Sequence, residues 1–219
     1  MDVWKVMRER HSVRKYLDKQ IEPEKVNALN EIVSEINAKG SVHFQMFTDE
    51  PEAFKAGKPH YGSFRGCKNY FALAAQKGMD EKVGYYGEEL VLRAQELGLN
   101  TCWVALTYEK GKVKVKLGDN EKLYLVIALG YGEEQGFAHK SKRVDSLSKS
   151  LGEKADWFTA GMDAVMLAPT ALNQQRFYFE QHGNKVMAKN KPAALSKVDL
   201  GIAKYHFELG AGKENFEWE

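Results

Sequence analysis

The stretch from Leu123 to Leu129, Leu-Tyr-Leu-Val-Ile-Ala-Leu, constrains this chain more than any other. It is the most apolar run in the sequence, and it reads as a central strand buried inside a sheet. Gly130-Tyr131-Gly132 closes it. Candidate neighbours are present. Asn69 to Gln76 reads as a buried strand ended by Lys77-Gly78, and Thr101 to Leu106 is short and apolar. Ser41 to Thr48 alternates Val42, Phe44 and Met46 with His43, Gln45 and Phe47, the period of a strand.

Helical patterns surround these strands. Val3, Trp4 and Met7 share one face of a short helix ending near Arg8, and Val13 to Leu17 then looks extended. Glu22-Pro23 starts a helix with proline in its first turn, and Val26, Leu29, Val33 and Ile36 carry it to a stop before Gly40. Gly84 to Leu97 follows the same logic, with Gly98 as its C-cap. Residues 133–150 read as a polar, basic connection. Glu153 to Met166 is helical until Ala168-Pro169-Thr170 breaks the pattern. Phe177 to Gln181 and Lys185 to Ala188 form a hairpin around His182-Gly183-Asn184. Asp199 to Leu209 is a last helix ending at Gly210, and the tail Asn215 to Glu219, with Phe216 and Trp218, is placed to dock as an arm.

Short helices mixed with non-local strands favour an α+β fold. At 219 residues the chain suits one large domain, taken here as 1–219, or two small fused ones. Glu96-Leu97-Gly98 and Glu208-Leu209-Gly210 echo one another. That echo is compatible with an ancestral duplication, with related halves at about 1–132 and 151–219.

Composition narrows the function classes. Lys+Arg 32 against Asp+Glu 30 leaves a net charge of +2, so no general electrostatic case exists for a nucleic-acid or membrane-surface protein. Any anion site must be local. No apolar run reaches the roughly 20 residues that span a bilayer, and the N-terminus lacks a signal-peptide core. Two cysteines without a CxxC argue against a disulfide framework, and a reducing cytoplasm is the default expectation. The six scattered histidines show no zinc-ligand spacing, so no metal site is expected.

Four segments could carry chemistry. In Arg10-His11-Ser12-Val13-Arg14, an extended backbone would point Arg10, Ser12 and Arg14 the same way, and two guanidiniums flanking a hydroxyl suit a phosphate. Spacing alone favours a solvated basic surface instead. In Leu167-Ala168-Pro169-Thr170-Ala171-Leu172-Asn173-Gln174-Gln175, small residues would let backbone approach a flat ligand, with Asn173 and Gln174 as hydrogen-bonding groups; alone, it reads better as a helix-capping loop. Gly98-Leu99-Asn100-Thr101-Cys102-Trp103-Val104-Ala105-Leu106 is a glycine turn feeding what is most simply a core strand. His139-Lys140-Ser141-Lys142-Arg143 is a basic cluster, ordinarily a solvated loop.

The order of these segments resembles the nitroreductase (flavin reductase) family. The carriers are Arg-x-Ser-x-Arg after a short helix, Gly-Leu-x-x-x-Trp after an amphipathic helix, a strand ending in Gly-Tyr-Gly followed by basic residues, and the 168–175 loop, similar to that family's Ala-Pro-Ser-Ala-x-Asn-x-Gln. The loop comes late here, as in a smaller branch of nitroreductases whose chains contain two related halves, and Arg176-Phe177 replaces the usual Pro-Trp.

The resemblance implies a nitroreductase-like fold, a mostly antiparallel central sheet flanked by helices, with FMN as cofactor. It implies that Arg10, Ser12 and Arg14 hold the FMN phosphate with His11 beside them. Lys142 and Arg143 would close over the phosphate from the far end. Pro169, Thr170, Ala171 and Asn173 would line the isoalloxazine and ribityl chain, and Ala105 and Leu106 would approach the reactive edge of the ring. No catalytic side chain is implied. The expected activity is hydride transfer from NADH or NADPH through flavin to a nitroaromatic, quinone or similar small-molecule acceptor in a ping-pong cycle. The alternative is a flavin-binding carrier or sensor without turnover; a third, non-flavin reading is an interaction domain that grips a partner with its basic segments. A homodimer or an internally duplicated monomer is expected. The long, aromatic-rich segment 49–68, with Phe54, His60, Tyr61 and Phe64, is the candidate substrate-side flap.

Overall fold

A computed structural model describes residues 2–55 and 63–219. The architecture is α+β, and the chain divides into two compact units. The first comprises Glu9–Met79 and Leu90–Phe137; the second comprises the N-terminus through Arg8, Asp80–Glu89 and Ala138–Glu219.

The first unit is organised by β4 (Glu121–Gly130), the strand expected from its apolar run. It lies between β2 (Asn69–Gln76) and β3 (Asn100–Val104), with β1 (His43–Phe47) on the far edge of β2, and every pairing is antiparallel. Tyr70 and Cys102 both stand opposite Ala128. Residues Tyr70 through Ala75 are all buried, as a strand covered on both faces must be.

Helix α2 (Pro23–Gly40) buries Leu29, Ile32, Val33 and Ile36. Its Asn37 amide pins Phe44 like a surrogate strand: Nδ2 donates to the Phe44 carbonyl at 2.9 Å, and the Phe44 N–H donates to Oδ1 at 2.7 Å. Gly40 was expected to lie beyond this helix but is its last residue, and Ser41 takes the left-handed position at φ 52°. Tyr131, just past β4, ties the start of α2 to the sheet. Its hydroxyl donates to Glu22 and accepts from Lys25 Nζ at 2.9 Å. The Tyr131 hydrogen bond, aided by Lys19, lowers the Glu22 carboxyl to about 2.

The second unit holds β5 (Ser148–Leu151), β6 (Phe177–His182), β7 (Lys185–Asn190) and β8 (Glu217–Trp218) in that order. Here β5/β6 and β7/β8 are parallel and only the β6/β7 hairpin is antiparallel, so the two sheets differ in pairing. Strand β5 overlaps the end of the stretch read as a polar connection, residues 133–150. Its Ser-Lys-Ser-Leu sequence carries almost no apolar alternation, and backbone pairing with β6 holds it. The C-terminal arm docks as β8: the Glu219 N–H donates to the Val186 carbonyl at 2.9 Å, and Trp218 Nε1 donates to Glu208 Oε1 at 2.8 Å.

Helices α5 (Asp156–Val165) and α6 (Ser196–Ala211) pack against each other beside these strands. Their core is aromatic: Phe207 stacks on Phe179 at 5.2 Å and meets Phe158 and Phe216 edge-on. Gly210 does not end α6 as expected. It is a contact glycine, because a Cβ there would lie 2.5 Å from the Ala160 carbonyl oxygen, and Gly212, at φ +75°, is the residue that stops the helix.

Helix α4 (Asp80–Glu96) contributes its first ten residues, Asp80–Glu89, to this unit. From them Glu88 reaches His206, both fully buried, at 2.9 Å. The other ring nitrogen of His206 lies 3.0 Å from the Ala164 carbonyl, which can only accept, so Nδ1 carries a proton. One proton then bridges Nε2 and the Glu88 carboxylate, leaving the pair neutral as a whole.

Two stability outcomes follow. Gly210→Ala gains about 1 kcal/mol of helix propensity but loses about 1–3 kcal/mol to overpacking against a backbone oxygen, so its urea midpoint should fall; a raised midpoint would refute the close-contact account. Glu88→Ala, which strands the buried imidazole, should cost about 3–5 kcal/mol by the same measurement.

Candidate functional site

In the first unit, residues 12–17 run extended beside the sheet. The Val13 N–H donates to the Thr101 carbonyl at 3.0 Å, Tyr16 N–H to Arg65 at 2.8 Å and Leu17 N–H to Tyr131 at 2.8 Å. The Tyr16 hydroxyl turns back on the Val13 carbonyl at 2.8 Å. This docking delivers alternate side chains to one place. Arg14, Ser12 and Arg10 all bear on the Cys102 thiol, whose Sγ donates to the Trp103 carbonyl at 3.5 Å. Burial pushes the Cys102 thiol upward, and the three residues oppose that push. Arg10 is only 4% exposed, whereas Arg14 is open to solvent.

His11 completes this cluster. Burial first, and then the Arg10 charge, lower its pKa, while a hydrogen bond to the Gln135 backbone works in the opposite direction. Its buried Nδ1 has no hydrogen-bond partner among the described residues. Gly136 lies against this backbone so closely that a Cβ would sit 2.8 Å from the His11 Cβ. Asn100 orders the adjoining turn, accepting from the Gly132 N–H at 2.9 Å and donating to Gln135 Oε1 at 2.9 Å. Beyond β3, Ala105 is half-buried and Leu106 is 81% exposed.

Phe54 and Phe64 from the expected flap pack together at 5.1 Å and belong to the core around Tyr70. His60 and Tyr61 lie outside the described residues.

In the second unit the 168–175 loop is a compact, strained turn. Leu172, Asn173 and Gln175 all adopt left-handed backbone, with φ of 52°, 52° and 45°. Such conformations cost of order 1–3 kcal/mol each in residues other than glycine and persist only where surroundings enforce them. The enforcement is visible. Asp199 Oδ1 accepts from the Ala171 N–H at 2.9 Å, and Oδ2 accepts from Gln174 Nε2 at 2.7 Å. Thr170 Oγ1 accepts from the Gln175 N–H at 3.1 Å. Asn173 Nδ2 and Gln175 Nε2 both donate to the Lys140 carbonyl, at 2.7 and 2.8 Å. Lys142 Nζ donates to the Gln174 carbonyl at 2.6 Å, so that cation is already committed to the loop. Arg143 is open to solvent, 3.6 Å from Asp145. Pro169, Thr170 and Ala171 are half-buried, and Leu172 is 76% exposed at the crest.

Asn173 and Gln174 thus spend their side chains on anchoring the loop, Asn173 to Lys140 and Gln174 to Asp199 and Ala194. Asp199 and Gly136 lie outside the sequence motifs, and Gln175 and Asn100 fall inside two of them without a role of their own. One signal for Asp199 was available: a lone acid within Val198-Asp199-Leu200-Gly201-Ile202-Ala203 needs partners if that face is buried. Among the described residues, no group of three or more His, Cys, Asp or Glu is arranged to hold a metal ion, and no helix is long and apolar enough to cross a membrane.

Comparison with known proteins places the chain. The family model described as "Putative TM nitroreductase" matches residues 2–211. The chain therefore belongs to this nitroreductase family, a family of oxidoreductases. Among solved structures, a Thermotoga maritima protein described as a putative nitroreductase superposes with a TM-score of 0.68 at 19% identity, covering 98% of this chain and 85% of that one. A Parabacteroides distasonis protein described as a putative NADH dehydrogenase/NAD(P)H nitroreductase gives 0.53 at 18% identity, over 67% of this chain and 96% of that one. A Clostridium difficile FMN-dependent nitroreductase gives 0.50 at 20% identity, over 62% and 90%. At these identities the likeness concerns the fold. A comparison with curated proteins gave no match.

The buried Asp199 carboxyl is raised to about 6, burial being the first cause, with the Ala171 and Gln174 hydrogen bonds holding it down. Its unfolded value is near 3.9. The folded form therefore binds the proton more tightly, and stability from this group is greatest below about pH 4 and declines as pH rises toward 6. Unfolding free energies of the wild type and Asp199→Asn measured from pH 4 to 7.5 should diverge across that window, by up to ~3 kcal/mol, with the wild type losing ground as pH rises. Parallel curves would show that Asp199 is not perturbed.

Proposed function

We propose that this chain is an FMN-dependent oxidoreductase that passes hydride from NADH or NADPH to a nitroaromatic, quinone or similar acceptor in a ping-pong cycle. The observation that carries the reading is the gathering of Arg10, Ser12 and Arg14 about Cys102, in a chain that matches the nitroreductase family over residues 2–211. The FMN-dependent description of the Clostridium difficile relative supports the choice of flavin.

The residues present fit the group. A phosphate dianion needs cations and directional donors, and Arg10 and Arg14 supply both. Burial of Arg10 strengthens its field at the site and limits the freedom lost on binding. The unpartnered Nδ1 of His11 leaves polar capacity beside them, and the close approach of Gly136 fixes the backbone at His11 and Ser12. With its pKa lowered, His11 is mostly neutral at pH 7, so the arginines carry the charge. Pro169, Thr170 and Ala171 are small residues on a fixed backbone, suited with Asn173 to lining a planar ring, and Ala105 and Leu106 offer a further backbone stretch for a ring edge. Bound flavin supplies the hydride relay itself. The protein's part is to hold, orient and bias it electrostatically, which requires no acid–base side chain.

The purified protein should be yellow, and its flavin absorbance should bleach within seconds under anaerobic NADH or NADPH. A yellow protein that neither nucleotide bleaches would instead be a carrier or sensor, and a colourless one whose melting temperature ignores added FMN would end the flavin reading. Arg10→Ala and Arg14→Ala should each weaken FMN retention about 10- to 100-fold, the loss of a charged hydrogen bond of about 1.5–3 kcal/mol. Unchanged flavin content in both would remove the phosphate assignment.

A further inference from the structure

We propose that Asp199 is a positioning residue for the cofactor: its carboxylate clips the Thr170–Gln175 turn in the left-handed form that receives the flavin ring. The inference rests on the flavin reading above and assigns a residue that the sequence motifs leave out.

Asp199 is 2% exposed and is flanked in sequence by apolar Val198 and Leu200. Burying an acid in such surroundings is expensive unless its oxygens are satisfied. Both are satisfied by the loop: Oδ1 takes the Ala171 N–H at 2.9 Å and Oδ2 takes Gln174 Nε2 at 2.7 Å. Asp199 lies in the first turn of α6, where an acid often caps its own helix. That explanation fails here, because α6 has no side-chain cap and the bonds of Asp199 go to residues 28 and 25 positions earlier. Among the described residues no cation forms an ion pair with it, so the contacts that fix it are burial and these two donors.

The two bonds bracket the strain. Ala171 immediately precedes Leu172 and Asn173, and Gln174 stands between Asn173 and Gln175, the three left-handed residues. Gln174 Nε2 also donates to the Ala194 carbonyl at 2.8 Å, which joins the loop to the segment leading into α6. A two-oxygen acceptor suits this arrangement: both atoms it faces are donors. An asparagine would offer one acceptor and set its own N–H₂ against a donor. Without the clip, a loop holding three strained L-residues should relax, and the turn would have to be rebuilt whenever cofactor bound.

The test compares the wild type with Asp199→Ala, Asp199→Asn and Gln174→Ala. Hydrogen exchange across residues 168–176 is measured without ligand, and FMN affinity and the bound-flavin absorption spectrum are measured by titration. In Asp199→Ala the Ala171 amide should exchange at least about tenfold faster, FMN should bind about tenfold or more weakly, and the flavin band should shift because the ring meets a different backbone. Asp199→Asn, which keeps one acceptor, should fall between. The double variant Asp199→Ala/Gln174→Ala should be no worse than Asp199→Ala alone, since both act through one clip. Should Asp199→Ala not fold, Gln174→Ala carries the test through the same exchange and affinity measurements. Wild-type exchange rates in the variants would overturn the clip. Faster exchange with unaltered FMN affinity and spectrum would overturn the positioning role. A wild-type protein that takes up no FMN would sink the flavin reading itself, a result told apart from the others by the wild type alone.

Discussion

Burial of β4 between β2 and β3 is the constraint on which the first unit depends. A strand with that composition is stable only when both faces and both edges are covered, so it recruits a neighbour on each side. Two consequences reach the candidate site. Strand β3 is held in register, which fixes Thr101 and Cys102, and the chain beyond β4 is fixed at Tyr131. The extended N-terminal segment docks on both places, at Thr101 and at Tyr131. Side-chain alternation then does the rest, bringing Arg10, Ser12 and Arg14 to bear on one thiol. In a chain of nearly balanced charge, two arginines are thereby brought to one place by local backbone pairing.

The second unit solves a different problem. Its loop from Pro169 to Gln175 holds three non-glycine residues in left-handed backbone, a conformation that side-chain sterics oppose. Neighbouring groups over-determine it, the buried Asp199 among them.

Much of this was legible in the sequence, and the legible parts share a cause. Strand β4, helices α2 and α5, the β6/β7 hairpin and the docking tail all announce themselves through local apolar periodicity or turn chemistry. The alternation of Arg10, Ser12 and Arg14 is equally local. What escaped depends on partners distant in the chain. Strand β5 has no apolar signature of its own and exists through pairing with β6. Gly210 carries the sequence mark of a helix stop, but the neighbouring helix had already claimed it for close contact. Asp199 lies inside an expected helix, and only the folded chain shows that its carboxylate belongs to a loop 28 residues earlier. The helical pattern of α4 is legible only from Gly84, four residues after the helix begins, and says nothing of which unit its first turns serve.

The central claim is that the Arg10, Ser12 and Arg14 cluster recognises the phosphate of a flavin mononucleotide. Calorimetric titration of the apoprotein with FMN and with riboflavin tests it most directly, because the two ligands share the ring and the ribityl chain and differ in the phosphate. The account predicts that FMN binds about 100-fold more tightly or better, the worth of two charged hydrogen bonds. Equal affinity for the two would contradict it.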